Sequence, residues 1–231
     1  MKIITKTIAL LLLVLSGVVY ADNAAGLAAI NAGNYKLALQ EFQEAANQGN
    51  IEATYNLALM YDRGLGVSEN KQKAATFYQT AAKQGYTSAM LNLGTLYVNG
   101  VGISQDTERG IYWYQEAYKH GEKGKAAYAI GLIYYYGRGT QPNYSQSIKY
   151  FSLGANAGNS LSMEMLGTIY LNGQGVKPDY QQAYNYFYKA KILGDKDAEQ
   201  GLAQLYAKLT PQQIQQLQNG TFKMSELNTT S

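Results

Sequence analysis

The sequence predicts an all-α fold, a right-handed α/α solenoid of stacked antiparallel helix pairs. Three observations predict it. A short apolar pattern recurs at near-constant spacing, a second pattern follows each copy in fixed register, and glycines and Asn/Asp residues stand where each helix must end or begin. Self-similarity with a period of 20–50 residues marks units that bury a continuous core only by stacking on one another.

The strings LALMYDRGLGV (57–67), LGTLYVNGVGI (93–103), IGLIYYYGRGT (130–140) and LGTIYLNGQGV (166–176) align, and LAQLY (202–206) begins a fifth copy. Their first residues, Leu57, Leu93, Ile130, Leu166 and Leu202, lie 36, 37, 36 and 36 residues apart. The one extra residue falls between Gly121 and Ala126. Behind each copy runs a second series: an aromatic (Phe42, Tyr78, Tyr114, Phe151, Phe187), a small residue (Ala45, Ala81, Ala117, Gly154, Ala190) and a glycine (Gly49, Gly85, Gly121, Gly158, Gly194).

Each position has a physical task. Ala89, Leu93, Leu96 and Tyr97 recur at helical spacing, which makes the first half of the repeat a helix, the leading one. The small residue after its first Leu or Ile (Ala58, Gly94, Gly131, Gly167, Ala203) admits a neighbouring helix at close range. A tyrosine one turn on (Tyr61, Tyr97, Tyr134, Tyr170, Tyr206) fills the space beyond. A G-x-G loop then ends the helix (Gly64/Gly66, Gly100/Gly102, Gly137/Gly139, Gly173/Gly175), since glycine tolerates the positive φ of a helix C-terminus. The same letters occur in phosphate-binding loops, but those join a strand to a helix, and here the loop follows a helix. The trailing helix starts at Asn34, Asn70, Asp106, Asn143 or Asp179, residue types whose side-chain oxygen accepts an orphan backbone N–H. Pro142 and Pro178 precede two of these positions, where the chain leaves helical geometry.

The combined pattern, L-G-x-x-Y-x-x-G-x-G-V, then D/N-x-x-x-A, then an aromatic pair and A-A-x-x-G, resembles the Sel-one-like repeat, a sub-class of the tetratricopeptide superfamily. The resemblance covers roughly 23–209. It divides the chain into a tetratricopeptide-like N-terminal repeat at 22–49, full repeats at 50–85, 86–122, 123–158 and 159–194, and capping helices at 195–218. The first repeat has the tight turn Ala32–Tyr35 in place of a G-x-G loop, and the last lacks the glycines. Thr210 with Pro211 opens a short final helix, whose glutamines give the polar outer face a solenoid end requires. Residues 219–231 read as a disordered tail.

Composition narrows the function. The chain is 46% hydrophobic and 15% charged, with 22 Tyr, 24 Gly and 3 Pro; an average soluble protein is about 25% charged. There is no Cys, so thiol catalysis, thiolate metal sites and disulfides are excluded. Residues 1–21 read as a signal peptide cleaved after Ala21, the alternative being an uncleaved N-terminal anchor: Lys2 and Lys6 precede the apolar stretch Ile8–Val19. This places the protein in the periplasm or outside the cell, without stable membrane insertion after cleavage. Losing Lys2 and Lys6 lowers the formal charge from +3 to +1, too little for a nucleic-acid footprint.

No catalytic residue, metal ligand or cofactor is expected. His120 is the only histidine and reads as a surface residue at a helix C-terminus. Ser68–Lys71 matches S-x-x-K, and some cysteine-rich relatives of the repeat family are reported as β-lactamase-like. The companion motifs S-D-N and K-T-G are absent, and Asn70 within the match is a helix cap. Trp113 beside Tyr114 reads as packing within the repeat.

The resemblance implies that leading helices line a concave side and that this side grips a protein or peptide partner. It places there Tyr55, Leu59, Asp62 and Arg63; Leu91, Thr95, Val98 and Asn99; Tyr128, Leu132, Tyr135 and Tyr136; Glu164, Thr168, Leu171 and Asn172. Tyr135 and Tyr136 stand out, being tyrosines beyond the one each repeat uses for packing, and tyrosine is enriched at interaction hot spots. Asn99 and Asn172 suit an extended peptide backbone. The expected function is a monomeric exported scaffold in envelope assembly, signalling or host interaction. The alternatives are a peptidoglycan or carbohydrate binder using the tyrosines, and, last, a β-lactamase-like hydrolase.

Overall fold

The computed structural model describes residues 23–139 and 141–229; the segment read as a signal peptide lies outside them. Among the described residues there are twelve α-helices and no strand. They are α1 (Asn23–Asn31), α2 (Tyr35–Asn47), α3 (Ile51–Arg63), α4 (Lys71–Lys83), α5 (Thr87–Asn99), α6 (Thr107–Lys119), α7 (Lys123–Tyr136), α8 (Tyr144–Asn156), α9 (Ser160–Asn172), α10 (Tyr180–Ile192), α11 (Asp197–Tyr206) and α12 (Pro211–Gln218), with a closing 3₁₀ turn at Met224–Thr229. The chain forms two compact units. One runs to Ala89 and includes Val101–Ile103; the other holds Met90–Gly100 and everything from Ser104. In each unit consecutive helices pack as antiparallel pairs, and the leading helices also touch one another, α1 with α3 in the first and α7 with α9 and α9 with α11 in the second.

The helix boundaries follow from side-chain chemistry. All five polar residues expected to start trailing helices do so: Asn34, Asn70, Asp106, Asn143 and Asp179 each accept the backbone N–H three residues on, at 2.9–3.2 Å. Four of them also donate their own backbone N–H to the tyrosine carbonyl of the leading helix, Tyr61, Tyr97, Tyr134 and Tyr170, at 2.7–2.9 Å. That bond closes the connection between the two helices of each repeat. The leading helices use Asn50 and Asn159 in the same capping role. Glu122, next to the extra residue of its repeat, makes no capping bond.

The core is one contact repeated. The trailing-helix aromatics Phe42, Tyr78, Tyr114, Phe151 and Phe187 are all buried. Their rings lie on the small residues of leading helices: Phe42 on Gly26, Tyr114 on Gly94, Phe151 on Gly131, and Phe187 on both Gly167 and Gly201. A Cβ added at Gly131 would come within 2.5 Å of the Phe151 ring. The repeat tyrosine stacks on a second trailing-helix aromatic, as in Tyr61–Phe77, Tyr134–Tyr150 and Tyr170–Tyr186, with centroids 5.6–5.8 Å apart and ring planes within 17°.

The two loop glycines have different tasks. The first, at Gly64, Gly137 and Gly173, takes the left-handed C-terminal position. The second lies against the first residue of the preceding trailing helix: Gly66 on Tyr35, Gly102 on Lys71, Gly139 on Thr107 and Gly175 on Tyr144. No side chain fits there, so this glycine sets how closely one repeat follows another.

Residues 219–229 depart from the expected disordered tail. Phe222 is buried with Leu217, Phe187 and Leu205, its ring stacks 6.3 Å from Tyr180, and the Tyr180 backbone N–H donates to Met224 Sδ at 3.4 Å. Tyr180 opens α10, the position that a following repeat would cover with its second loop glycine. No such loop follows, and the apolar side chains of the tail bury that surface instead.

Gly131→Ala is expected to lower stability by about 1 kcal/mol or more: overpacking costs about 1–3 kcal/mol and exceeds the gain of up to about 1 kcal/mol in helix propensity. Urea unfolding that shows the variant more stable would refute the ring-on-glycine account. Asp106→Ala is expected to cost about 1 kcal/mol through loss of its cap, and an unchanged melting temperature would contradict that.

Candidate partner-binding face

In the first unit, the expected face residues are largely engaged in packing. The Tyr55 ring sits 5.8 Å from Tyr78 and 4.7 Å from Tyr86. Leu59 is half-buried and Arg63 exposed at the last turn of α3. Asp62 pairs with Lys71 Nζ at 3.1 Å. This pairing bears on the S-x-x-K match. Lys71 also approaches Glu69 at 3.5 Å, and its hydrogen bond to Asp62 holds the ammonium above its usual range. A general base needs the opposite shift. Lys71 serves the loop.

In the second unit, Tyr128, Leu132 and Tyr135 of α7 come together over the cluster formed by Phe151, Met165, Leu166 and Ile169. Tyr135 is the hub. Its ring meets Tyr136 edge-on at 4.9 Å, Tyr144 at 5.6 Å and Phe151 at 6.3 Å. Its hydroxyl donates to Gln174 Oε1 at 2.9 Å. Tyr136 is 57% exposed, with the Arg138 guanidinium 5.8 Å from its ring centroid. Burial, with the charge of Glu164 next, pushes the Tyr128 phenol up. The Tyr135 phenol is likewise raised, chiefly by burial.

Helix rotation removes two expected residues from the face. Val98 is buried, packed over Gly110, and Leu171 belongs to the core with Ala183 and Phe187. The hydroxyls are also committed: Thr95 Oγ1 lies 2.8 Å from the Tyr114 hydroxyl, and Thr168 donates to Glu164 at 3.0 Å. Asn99 and Asn172 end their helices exposed. His120 is exposed at the end of α6, its Nδ1 2.9 Å from the Glu116 carbonyl.

Two features were not read from the sequence. Glu164 has acidic neighbours across the helix boundary: burial first, then the charges of Asp195 and Asp197, raise its carboxyl above the usual range. Asp195 caps α11 through Oδ1, accepting from Asp197 N and Ala198 N at 3.1 and 3.4 Å, while Oδ2 is buried without a partner. The second is a cleft of about 450 Å³ between α10, α11 and the end of α12, lined by Tyr184, Tyr188, Tyr206, Lys191, Glu199 and Gln218. The spacing of Tyr184 and Tyr188, one helical turn apart, was its only sequence signal.

Paired helices, glycine-seated rings and G-x-G loops together define an α/α repeat protein of the tetratricopeptide-like class. Residues 26–50, 51–86, 87–122, 124–159 and 160–195 each match the Sel1 repeat, and the chain belongs to that family. It is similar to a Sel1 repeat protein from Oxalobacter formigenes, at 30% identity and a TM-score of 0.71 over 80% of this chain and 77% of that one. It is also similar to c5321, a protective antigen of uropathogenic Escherichia coli strains displaying an SLR fold, at 29% identity and a TM-score of 0.69, covering 78% of this chain and 41% of that one. A Sel1 repeat protein from Klebsiella pneumoniae shares the fold at 20% identity and a TM-score of 0.51, with 78% and 89% covered. No curated protein matches the chain. Sel1 repeats generally mediate protein–protein interaction and are generally non-enzymatic scaffolds. Among the described residues no helix is long and apolar enough to cross a membrane.

The raised pKa of Glu164 has a defined consequence. Its ionised form costs stability above the raised pKa, and that cost vanishes below the ordinary value, where both folded and unfolded chains are protonated. Glu164→Gln, which can still accept from Thr168, is therefore expected to raise the melting temperature at neutral pH. The gain should shrink as the pH falls toward 4. A gain that is constant with pH, or none, would contradict the burial account.

Proposed function

We propose that this protein is an exported scaffold that binds an extended protein segment along the leading helices α7 and α9. One observation carries the reading: Tyr136 stands exposed on a base of packed aromatic rings, with its neighbour Tyr135 fixed by Gln174. A large ring already held in place loses little conformational freedom on binding, which is what makes tyrosine an anchor. Asn99 and Asn172 supply exposed amides at helix ends for a peptide backbone. Export to the periplasm or beyond rests on the composition of residues 1–21. The role there is envelope assembly, signalling or host interaction.

A photo-crosslinker at position 136 is expected to capture a distinct protein in cells, and one at position 112, an exposed tyrosine of α6, is not. The protein recovered should begin at Asp22 and come from the periplasm or medium. Tyr136→Ala is expected to weaken the captured complex about tenfold or more. Equal capture from both positions would sink the assignment of the face. The cleft of Tyr184, Tyr188 and Tyr206 favours a second reading, carbohydrate binding, because its volume lies in the range of about 300–1,000 Å³ typical of small-ligand sites. Retention on purified sacculi that Tyr188→Ala abolishes would move that reading to first place.

A further inference from the structure

The last leading helix keeps its ring seat uncovered. The small position of the leading helices is buried at Ala58, Gly94, Gly131 and Gly167, and exposed at Ala203. Ala203 lies in the wall of the cleft of about 450 Å³ between α10 and α11, with Leu202, Tyr206, Tyr184 and Tyr188. The sequence explains the exposure. Thirty-six residues beyond Phe187, where the next ring would stand, the chain has Lys223. Helix α12 has 8 residues where the other trailing helices have 13, and it packs against α10. Tyr206, whose counterparts Tyr61, Tyr134 and Tyr170 stack on a ring of their own repeat, meets Tyr184 of α10, tilted by 37° at 6.4 Å. Helix α10 also differs from every earlier trailing helix along this cleft. The position of Tyr188 is Gln43, Gln79, Gln115 and Ser152 in the earlier copies. That of Ile192, one turn on along the same helix face, is Asn47, Lys83, Lys119 and Asn156. Tyr188 is 47% and Ile192 67% exposed. A solenoid end is ordinarily closed by a polar face. Here polar residues give way to apolar ones beside the one uncovered seat, and exposed apolar surface with a polar rim marks a site of interaction.

The covered seats define what fits. Each stands in register with an aromatic of a trailing helix that carries a small residue three positions on: Tyr78 with Ala81, Tyr114 with Ala117, Phe151 with Gly154, Phe187 with Ala190. Gly94, Gly131 and Gly167 hold such a ring against the helix backbone. Ala58, in register with Tyr78, is the seat of the same residue type as Ala203, and both Ala58 and Tyr78 are buried. The exposed side of α11 thus continues the helix-on-helix interface of the preceding repeats. At its edge Lys191 and Glu199 pair with each other at 3.1 Å, so the apolar floor of the cleft selects the occupant. We infer that the cleft between α10 and α11 receives an amphipathic helix of a partner protein, with an aromatic residue seated on Ala203 and a small residue three positions later. This site is separate from the Tyr136 face, and it assigns the cleft to a protein rather than to a sugar.

The probe for the test is this chain's own α4, the trailing helix in register with an alanine seat. A labelled peptide of residues 70–85 is titrated with the full chain and followed by fluorescence anisotropy. So short a helix is marginal alone, and a lactam between Gln72→Glu and Thr76→Lys, both exposed positions of α4, holds it. Saturable binding is expected, weakened about tenfold or more by Tyr78→Ala in the peptide and by Ala203→Leu in the chain. Ile192→Asn, which restores the residue of two earlier copies, should weaken it as well. Ala203 is exposed, so Ala203→Leu should leave the melting temperature unchanged, and loss of binding is then not loss of fold. A peptide that does not bind, or that binds equally with Tyr78→Ala or to Ala203→Leu, would overturn the inference. Retention on purified sacculi that Ala203→Leu abolishes and the peptide fails to compete would overturn it in favour of a sugar. A dimer in sedimentation equilibrium that Ala203→Leu dissolves would overturn it in favour of a second copy of this chain.

Discussion

The seat of an aromatic ring on a glycine holds this molecule together. In an α/α repeat two helices must approach until their backbones nearly touch, and the side chains between them decide how near that is. Here the trailing helix supplies a rigid ring and, for Phe42, Tyr114, Phe151 and Phe187, the leading helix supplies a glycine with no side chain at all. Phe151 over Gly131 and Phe187 over Gly167 and Gly201 are the fullest examples. Everything else in the repeat follows from that distance. The tyrosine one turn on can then stack on its neighbour, the cap residue can reach the tyrosine carbonyl, and the loop can be short enough to need two glycines.

The proposed partner-binding face is built from what this constraint leaves over. Positions facing the ring are fixed by packing. Positions off the ring seat are free to differ between repeats. Residues 128, 132 and 136 of one repeat are Tyr, Leu and Tyr, and their counterparts 164, 168 and 172 are Glu, Thr and Asn. Two neighbouring helices with the same backbone thus present different chemistry, aromatic on α7 and acidic or amide-bearing on α9.

Much of this was legible in the sequence because it is local. A helix cap needs one side chain and an N–H three residues away, and a left-handed turn needs one glycine, so period and residue type were sufficient to place all five trailing-helix caps. The face was legible only in part. Val98 and Leu171 read as outward and are buried, because a helix can rotate by a fraction of a turn to satisfy its neighbours, and no local signal records that. Thr95 is exposed and Thr168 half-buried, but their hydroxyls are spent on Tyr114 and Glu164. The acidic cluster was missed because Glu164 and Asp195 are 31 residues apart in sequence, and only the packing of α9 on α11 joins them. The tail was misread because its polar residues outnumber Phe222 and Met224, although those two side chains decide where it lies.

That tail changes what the last repeat can do. Every earlier trailing helix begins under the loop of its successor, so the start of α10 is the natural landing site for one more repeat, whether from the same chain or from another molecule. Phe222 and Met224 already occupy it. The surface that a successor's loop glycine would cover in an earlier repeat is here an intramolecular contact, sealed by two side chains that no repeat pattern specifies.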